Sequence, residues 1–149
     1  MTSMWRTCGW VLLGSALILA LSLGVRHGFG LFLAPMSAEF GWGREVFAFA
    51  IALQNLIWGL AQPFTGALAD RFGAAKVVLV GGVLYAAGLV CMGLSDSAVT
   101  LSLSAGLLTG IGLTGTSFSV ILGVVGRAVP PEKRSMGMGI ASAAGSFGQ

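Results

Sequence analysis

Arg26 is the only basic residue set inside an apolar run of this chain, and its surroundings read as a surface that could hold an anion. On a helical wheel at about 100° per residue, Ser15, Ser22, Arg26 and Gly30 fall within a sector roughly 80° wide. Counted from Trp10, Arg26 lies about 24 Å along such a helix, in the outer half of an apolar layer. A charge at the centre of a bilayer costs about 2.5 to 3.5 kcal/mol on insertion scales, so an intramembrane arginine faces a cavity or a partner. No Asp or Glu falls inside any apolar run to neutralise it. A fixed positive charge of that kind favours an anion over a cation. A plainer reading stays open, in which Arg26 snorkels to the outer headgroups or pairs with Glu39.

His27 stands next to Arg26, about a quarter turn round. Histidine is the side chain that changes charge nearest neutral pH, so it is a candidate for proton coupling, with a packed, hydrogen-bonded ring as the alternative. It is the only histidine and has no second ligand near it in the sequence, so no metal site is expected. Asn55, Trp58, Gly59, Gln62 and Gly66 share a second helical face 80 to 100° wide. Uncharged amides in a membrane helix either bridge to another helix, at about 0.6 kcal/mol per bond, or line a pathway. Trp58 favours the pathway, since it is too deep in its run to be an interfacial anchor.

The elements that must carry these residues are long and apolar. The chain has 149 residues, 56% hydrophobic and 9% charged, against roughly 25% charged in soluble domains. Apolar runs cover about 10–33, 46–66, 77–94, 99–125 and 136–149. The first four match the roughly 20 residues a helix needs to cross a hydrocarbon core about 30 Å thick. Turn residues separate them: Pro35, Gly41 and Gly43, then the hinge Gly66 to Lys76, then Ser95-Asp96-Ser97, then Pro130-Pro131. With the N-terminus in the cytoplasm, the inner segments hold Arg6, Arg71, Lys76, Arg127, Lys133 and Arg134. The outer ones hold only Arg44 beside Glu39, Glu45 and Asp96. Basic residues gather on the cytoplasmic side, which sets this orientation. The fifth run stops at Gln149 without a flanking charge or turn, so a longer natural chain is expected.

Small residues recur four apart at Gly106/Gly110, Gly115/Ser119/Gly123 and Gly137/Ala141/Gly145, which predicts helix-packing seams. The hinge Gly66-Ala67-Leu68-Ala69-Asp70-Arg71-Phe72-Gly73-Ala74-Ala75-Lys76 reads as a tight turn at a membrane surface. Asp70 can sit near a helix N-terminus or pair with a base such as Arg127. Equally, Asp70, Arg71 and Lys76 can simply solvate a short cytoplasmic loop.

Gly66, Leu68, Ala69, Asp70, Arg71 and Gly73, between the second and third runs, resemble the loop signature of the major facilitator superfamily. The resemblance implies an all-α, polytopic membrane protein, with this chain as helices 1 to 5 of a twelve-helix fold. It implies that Asp70 joins a cytoplasmic charge network and latches the outward-facing state against a helix of the second half, with Gly66 at the close contact. Ala74 and Ala75 stand where the family carries bases, which leaves Lys76 and Arg127 to complete the network. The family's cavity is lined by its first and fourth helices, which adds Thr109 and Thr116 as binding candidates.

The stretches from Arg26 to Pro35 and from Glu39 to Trp42 look like bacterial relatives of monocarboxylate and oxalate/formate carriers. The expected function is therefore a secondary carrier of small organic anions, probed by Arg26, Asn55, Trp58, Gln62, Thr109 and Thr116, in a bacterial cytoplasmic membrane. A co-transported proton, lipid and the second half of the same protein are the other expected partners. The rivals are a multidrug/proton exporter of the same superfamily and a non-transporting scaffold. The exporter loses support because Gly106 to Gly112 lacks the arginine that many proton-coupled members place there. No enzyme motif, cofactor-binding motif or nucleic-acid surface is legible.

Overall fold

The computed structural model describes residues 2–149, with side chains from residue 8 onward, so the Arg6 side chain lies outside the described residues. Among them every regular element is helical: α1 (Thr2–His27), α2 (Gly30–Phe40), α3 (Arg44–Phe72), α4 (Ala74–Gly93) and α5 (Ala98–Leu101). A π-helical segment (Ser102–Leu108), α6 (Thr109–Gly115), α7 (Phe118–Ala128), a 3-10 turn (Pro131–Lys133) and α8 (Arg134–Phe147) follow. Helices satisfy their own backbone groups, which hydrocarbon cannot do. Four stretches are long and apolar enough to cross a membrane: Cys8–Phe40, Arg44–Phe72, Ala74–Gly93 and Ala98–Ala128. The chain is a multi-pass membrane protein. At 29 residues, α3 is about 43 Å long, so both of its ends reach past a 30 Å core into water.

One expected break moves, and another run gains a break. The chain leaves the helix at Gly28–Phe29, while Pro35 lies inside α2. As the sixth residue of a short helix, Pro35 gives up a single backbone bond. Gly41, at φ 65°, stops α2 in the left-handed region, and the Phe40 and Trp42 rings stack across it with centroids 4.5 Å apart. The fourth run is likewise not one regular helix. It opens on a capping box between Ser97 and Thr100, widens into the π-helical segment and leaves the helix at Thr116–Ser117. Ser117 is extended, at φ −81° and ψ 167°. Short polar residues and glycine from 114 to 117 hold a helix weakly.

Contacts divide the chain into two compact units, residues up to 27 with 116–149, and residues 28–115. In the first unit α1 packs on α7 and α8. Its buried row is Cys8, Ser15, Leu19, Ser22 and Leu23, whereas Trp10, Leu13, Leu17 and Leu21 are exposed, as lipid-facing residues must be. Gly137, Ala141 and Gly145 are buried as a seam. Leu23 and Phe118 occupy the space beside Gly145, and Leu12, Val125 and Val129 that beside Gly137.

In the second unit α4 packs on α6, and α3 packs on the π-helical segment and α6. Phe29, Phe47, Ala50, Met92, Leu101 and Ala105 form its apolar core. Gly106 and Gly110 receive α3 at Ala50, Leu53, Gln54 and Ile57. The expected seam Gly115/Ser119/Gly123 does not form. Gly115 packs on Gly81 and Val77 of α4, Ser119 is exposed, and the nearest atoms to Gly123 belong to the Arg127 guanidinium. The break at 116–117 puts these residues in different helices, so a spacing of four no longer marks one face.

Candidate functional site

Arg26 and His27 form the last turn of α1, where Arg26 is half-buried and His27 is exposed. The His27 ring donates from Nδ1 to the Leu23 carbonyl at 2.9 Å. A carbonyl only accepts, so this bond fixes the neutral tautomer and leaves Nε2 as the acceptor. Ser15 and Ser22 are buried within the first unit, which makes them packing positions there as well as members of the Arg26 stripe. Gly30 begins α2 beyond the break at Gly28–Phe29 and so leaves that stripe.

On α3 the buried stripe and the polar residues adjoin. Phe47, Ala50, Gln54 and Ala69 are buried against the unit's interior. Asn55, Trp58, Gln62 and Gly66 lie round the helix from them: Asn55 is exposed, and the other three are half-buried. At about 100° per residue Trp58 falls between Gln54 and Ala69, so it borders the packed stripe, while Asn55 and Gln62 lie about a quarter turn from Gln54.

Gln54 is the polar residue that sequence reasoning missed. Only 1% exposed, it donates from Nε2 to the Ala105 carbonyl at 2.9 Å, while its Oε1 is buried with no hydrogen-bond partner among the described residues. In an α-helix the Ala105 carbonyl would take the Thr109 N–H. Here that N–H is shared between the Gly106 and Ser104 carbonyls, three and five residues back, and the Ala105 carbonyl accepts instead from Gln54 and from the Thr109 hydroxyl, the latter at 2.6 Å. The signal was present in the sequence, since Gln54 sits on the stripe of Phe47, Ala50 and Ala61 and not on that of Asn55.

Thr109 is fully buried, and its hydroxyl also donates to the Ser104 carbonyl at 2.6 Å. It therefore closes the π-helical segment and stands apart from the Asn55 face. Thr116 lies buried at the break before α7. Thr65 donates to Thr114 at 2.9 Å, a polar link between α3 and α6 beside the Gln54 link to the π-helical segment.

At the hinge, α3 continues to Phe72, so Gly66 lies inside the helix, and a Cβ added there would meet nothing within 4 Å. Gly73, at φ 93°, makes the turn and donates to the Ala69 carbonyl at 3.1 Å. Only glycine adopts that backbone without strain. Asp70, Arg71 and Lys76 are exposed, and the Arg71 guanidinium lies 5.3 Å from the centroid of the Phe72 ring. Arg127 is exposed in the last turn of α7. Arg26, His27, Thr116 and Arg127 thus belong to the first unit, and Asn55, Trp58, Gln62, Thr109 and the hinge to the second.

The sequence profile of the Major Facilitator Superfamily matches residues 5–149. Monocarboxylate transporter 11 of Mus musculus is 34% identical over 134 residues, which cover 89% of this chain and 30% of that protein. Monocarboxylate transporter 3 of Mus musculus is 32% identical over 109 residues, covering 70% of this chain and 22% of the relative. An uncharacterized MFS-type transporter of Escherichia coli (strain K12), YhjX, is 29% identical over 146 residues, covering 98% and 35%. The chain spans about a third or less of the length of these relatives.

Proposed function

The chain belongs to the major facilitator superfamily, and from that premise we propose that it forms the first part of a secondary carrier of small organic anions, chiefly monocarboxylates. Arg26 carries the reading. It is a half-buried cation in the first spanning helix, and the interiors of the spanning stretches hold no Asp or Glu. The polar residues Asn55, Trp58 and Gln62 of α3, beside its packed stripe, are the second set of candidates for the pathway. Uncharged amides such as Asn55 and Gln62 can hydrogen-bond a carboxylate. His27, with Nε2 as its open acceptor, is placed to take a co-transported proton. Thr109 and Thr116 are the weaker candidates, because both are buried in packing.

The mechanism is alternating access, in which two helical halves rock about a midplane site. The hinge supplies the latch, with Asp70 as its anion, Arg71 and Lys76 as its cations and Gly73 as its turn, and Arg127 of the first unit is a further candidate cation. Basic residues in the hinge and around Pro130-Pro131 support a cytoplasmic N-terminus, and the similarity to the Escherichia coli transporter supports a bacterial cytoplasmic membrane. Similarity to proteins named as monocarboxylate transporters supports the substrate class.

Uptake of labelled monocarboxylates into proteoliposomes by the full-length protein tests the reading. Arg26→Ala, inserted normally, is expected to lower uptake by about tenfold or more, since a charge-assisted hydrogen bond is worth about 1.5 to 3 kcal/mol. Unchanged uptake and affinity would assign Arg26 to headgroup snorkelling. Uptake of lipophilic cations in place of carboxylates would favour the exporter reading, and no uptake of either the scaffold.

A further inference from the structure

Between α3 and α4 runs an open groove of about 330 Å³, walled by Leu68, Phe72, Val80 and Leu84, with Lys76 on its lining. Its floor explains why it exists. Gly81 of α4 meets Gly115 of α6 backbone to backbone, so no side chain fills the space beside them. The polar groups on the lining are engaged: Thr65 donates to Thr114, and Thr114 donates to the Ile111 carbonyl. Leu68, Phe72 and Val80 remain at least half exposed, an apolar surface that needs an apolar occupant.

One end of the groove is positively charged. Lys76 stands in the first turn of α4, and Arg71, over the Phe72 ring, stands in the last turn of α3. With Asp70 the hinge charges sum to +1. The first turn of α4 carries no acid and no side-chain cap, so its N–H groups add to that potential. An apolar slot ending in cations fits an amphiphile with an anionic head. A water-soluble anion has nothing to fill the slot, and a zwitterionic lipid brings a cation toward Lys76 and Arg71.

We propose that this groove binds one anionic phospholipid, with an acyl chain between α3 and α4 and the phosphate held by Lys76 and Arg71. The volume falls within the usual range of ligand sites, about 300 to 1,000 Å³. Basic residues at a membrane surface attract acidic headgroups. The proposal stands on the membrane placement of α3 and α4 and is independent of the transported anion.

Native mass spectrometry of the purified full-length protein, titrated with phosphatidylglycerol or phosphatidylcholine, tests it. The wild type is expected to retain phosphatidylglycerol at least tenfold better. Arg71→Gln with Lys76→Gln should remove most of that preference, roughly fivefold per cation, and leave phosphatidylcholine retention unchanged. Val80→Trp, which fills the groove and leaves the charges intact, should reduce retention of both lipids. Equal retention of the two lipids by the wild type, or an undiminished preference in the double variant, would overturn the proposal. So would photocrosslinks from position 68 or 80 that reach polypeptide, whether residues beyond Gln149 or a second copy, in place of lipid.

Discussion

Residues 102–115 are gripped by α4 on one side and α3 on another, and the two grips rest on different physics. Against α4 the contact is backbone on backbone. A side chain on Gly112 would land on the Tyr85 backbone, and one on Gly81 or Gly115 on the other's main chain. Against α3, Gly106 meets chiefly the flexible end of Leu53, Gly110 meets the Gln54 carbonyl and the β-branch of Ile57, and a directed bond from Gln54 to the Ala105 carbonyl adds a polar lock. Glycine is a steric requirement in the first seam. In the second only the contact at Gly106 can yield, by rotation of Leu53, and the Gln54 amide holds the Ala105 carbonyl of the π-helical segment.

The comparison can be broken at its strongest point first. Gly112→Leu is expected to cost about 3 kcal/mol or more, because the displaced atoms are main chain and cannot rotate away. Reversible unfolding in mixed micelles measures this, and a wild-type midpoint would remove the steric reading of the α4 seam. Gln54→Leu is expected to cost about 1 kcal/mol or less, near the average for a bond between membrane helices, since it also removes the buried Oε1 that lacks a partner. A loss above 3 kcal/mol would make the polar lock the dominant grip. Gly66→Ala is expected to change stability by less than about 0.5 kcal/mol, because the space beside it is open. The same variant should slow transport turnover if the latch packs against Gly66, and a wild-type turnover would remove that role.

Much of the fold was legible because lipid imposes few solutions. The apolar runs marked the four spanning stretches, and the seam Gly137/Ala141/Gly145 formed where four-residue spacing put it. The hinge was legible because Gly73 needs a positive φ. The Gly115/Ser119/Gly123 seam was misread because periodicity assumes an unbroken helix, and Ser117 breaks it. On the candidate site, the wheel grouped Asn55, Trp58 and Gln62 on one face of α3. It did not flag Gln54, one residue away and pointing inward, or the π-helical turn that receives it.

What the amino-acid order determined alone was the solvent, the number of apolar runs, the asymmetry of basic residues and the faces on which Arg26 and Asn55 fall. These depend on hydrophobicity and helical pitch, which are local properties. Only the tertiary structure decided where glycines touch main chain, which carbonyl Gln54 captures, and that an apolar groove ends at Lys76. Each of those needs two distant segments at a specific separation, and pairwise distance is the quantity that a local pattern does not contain.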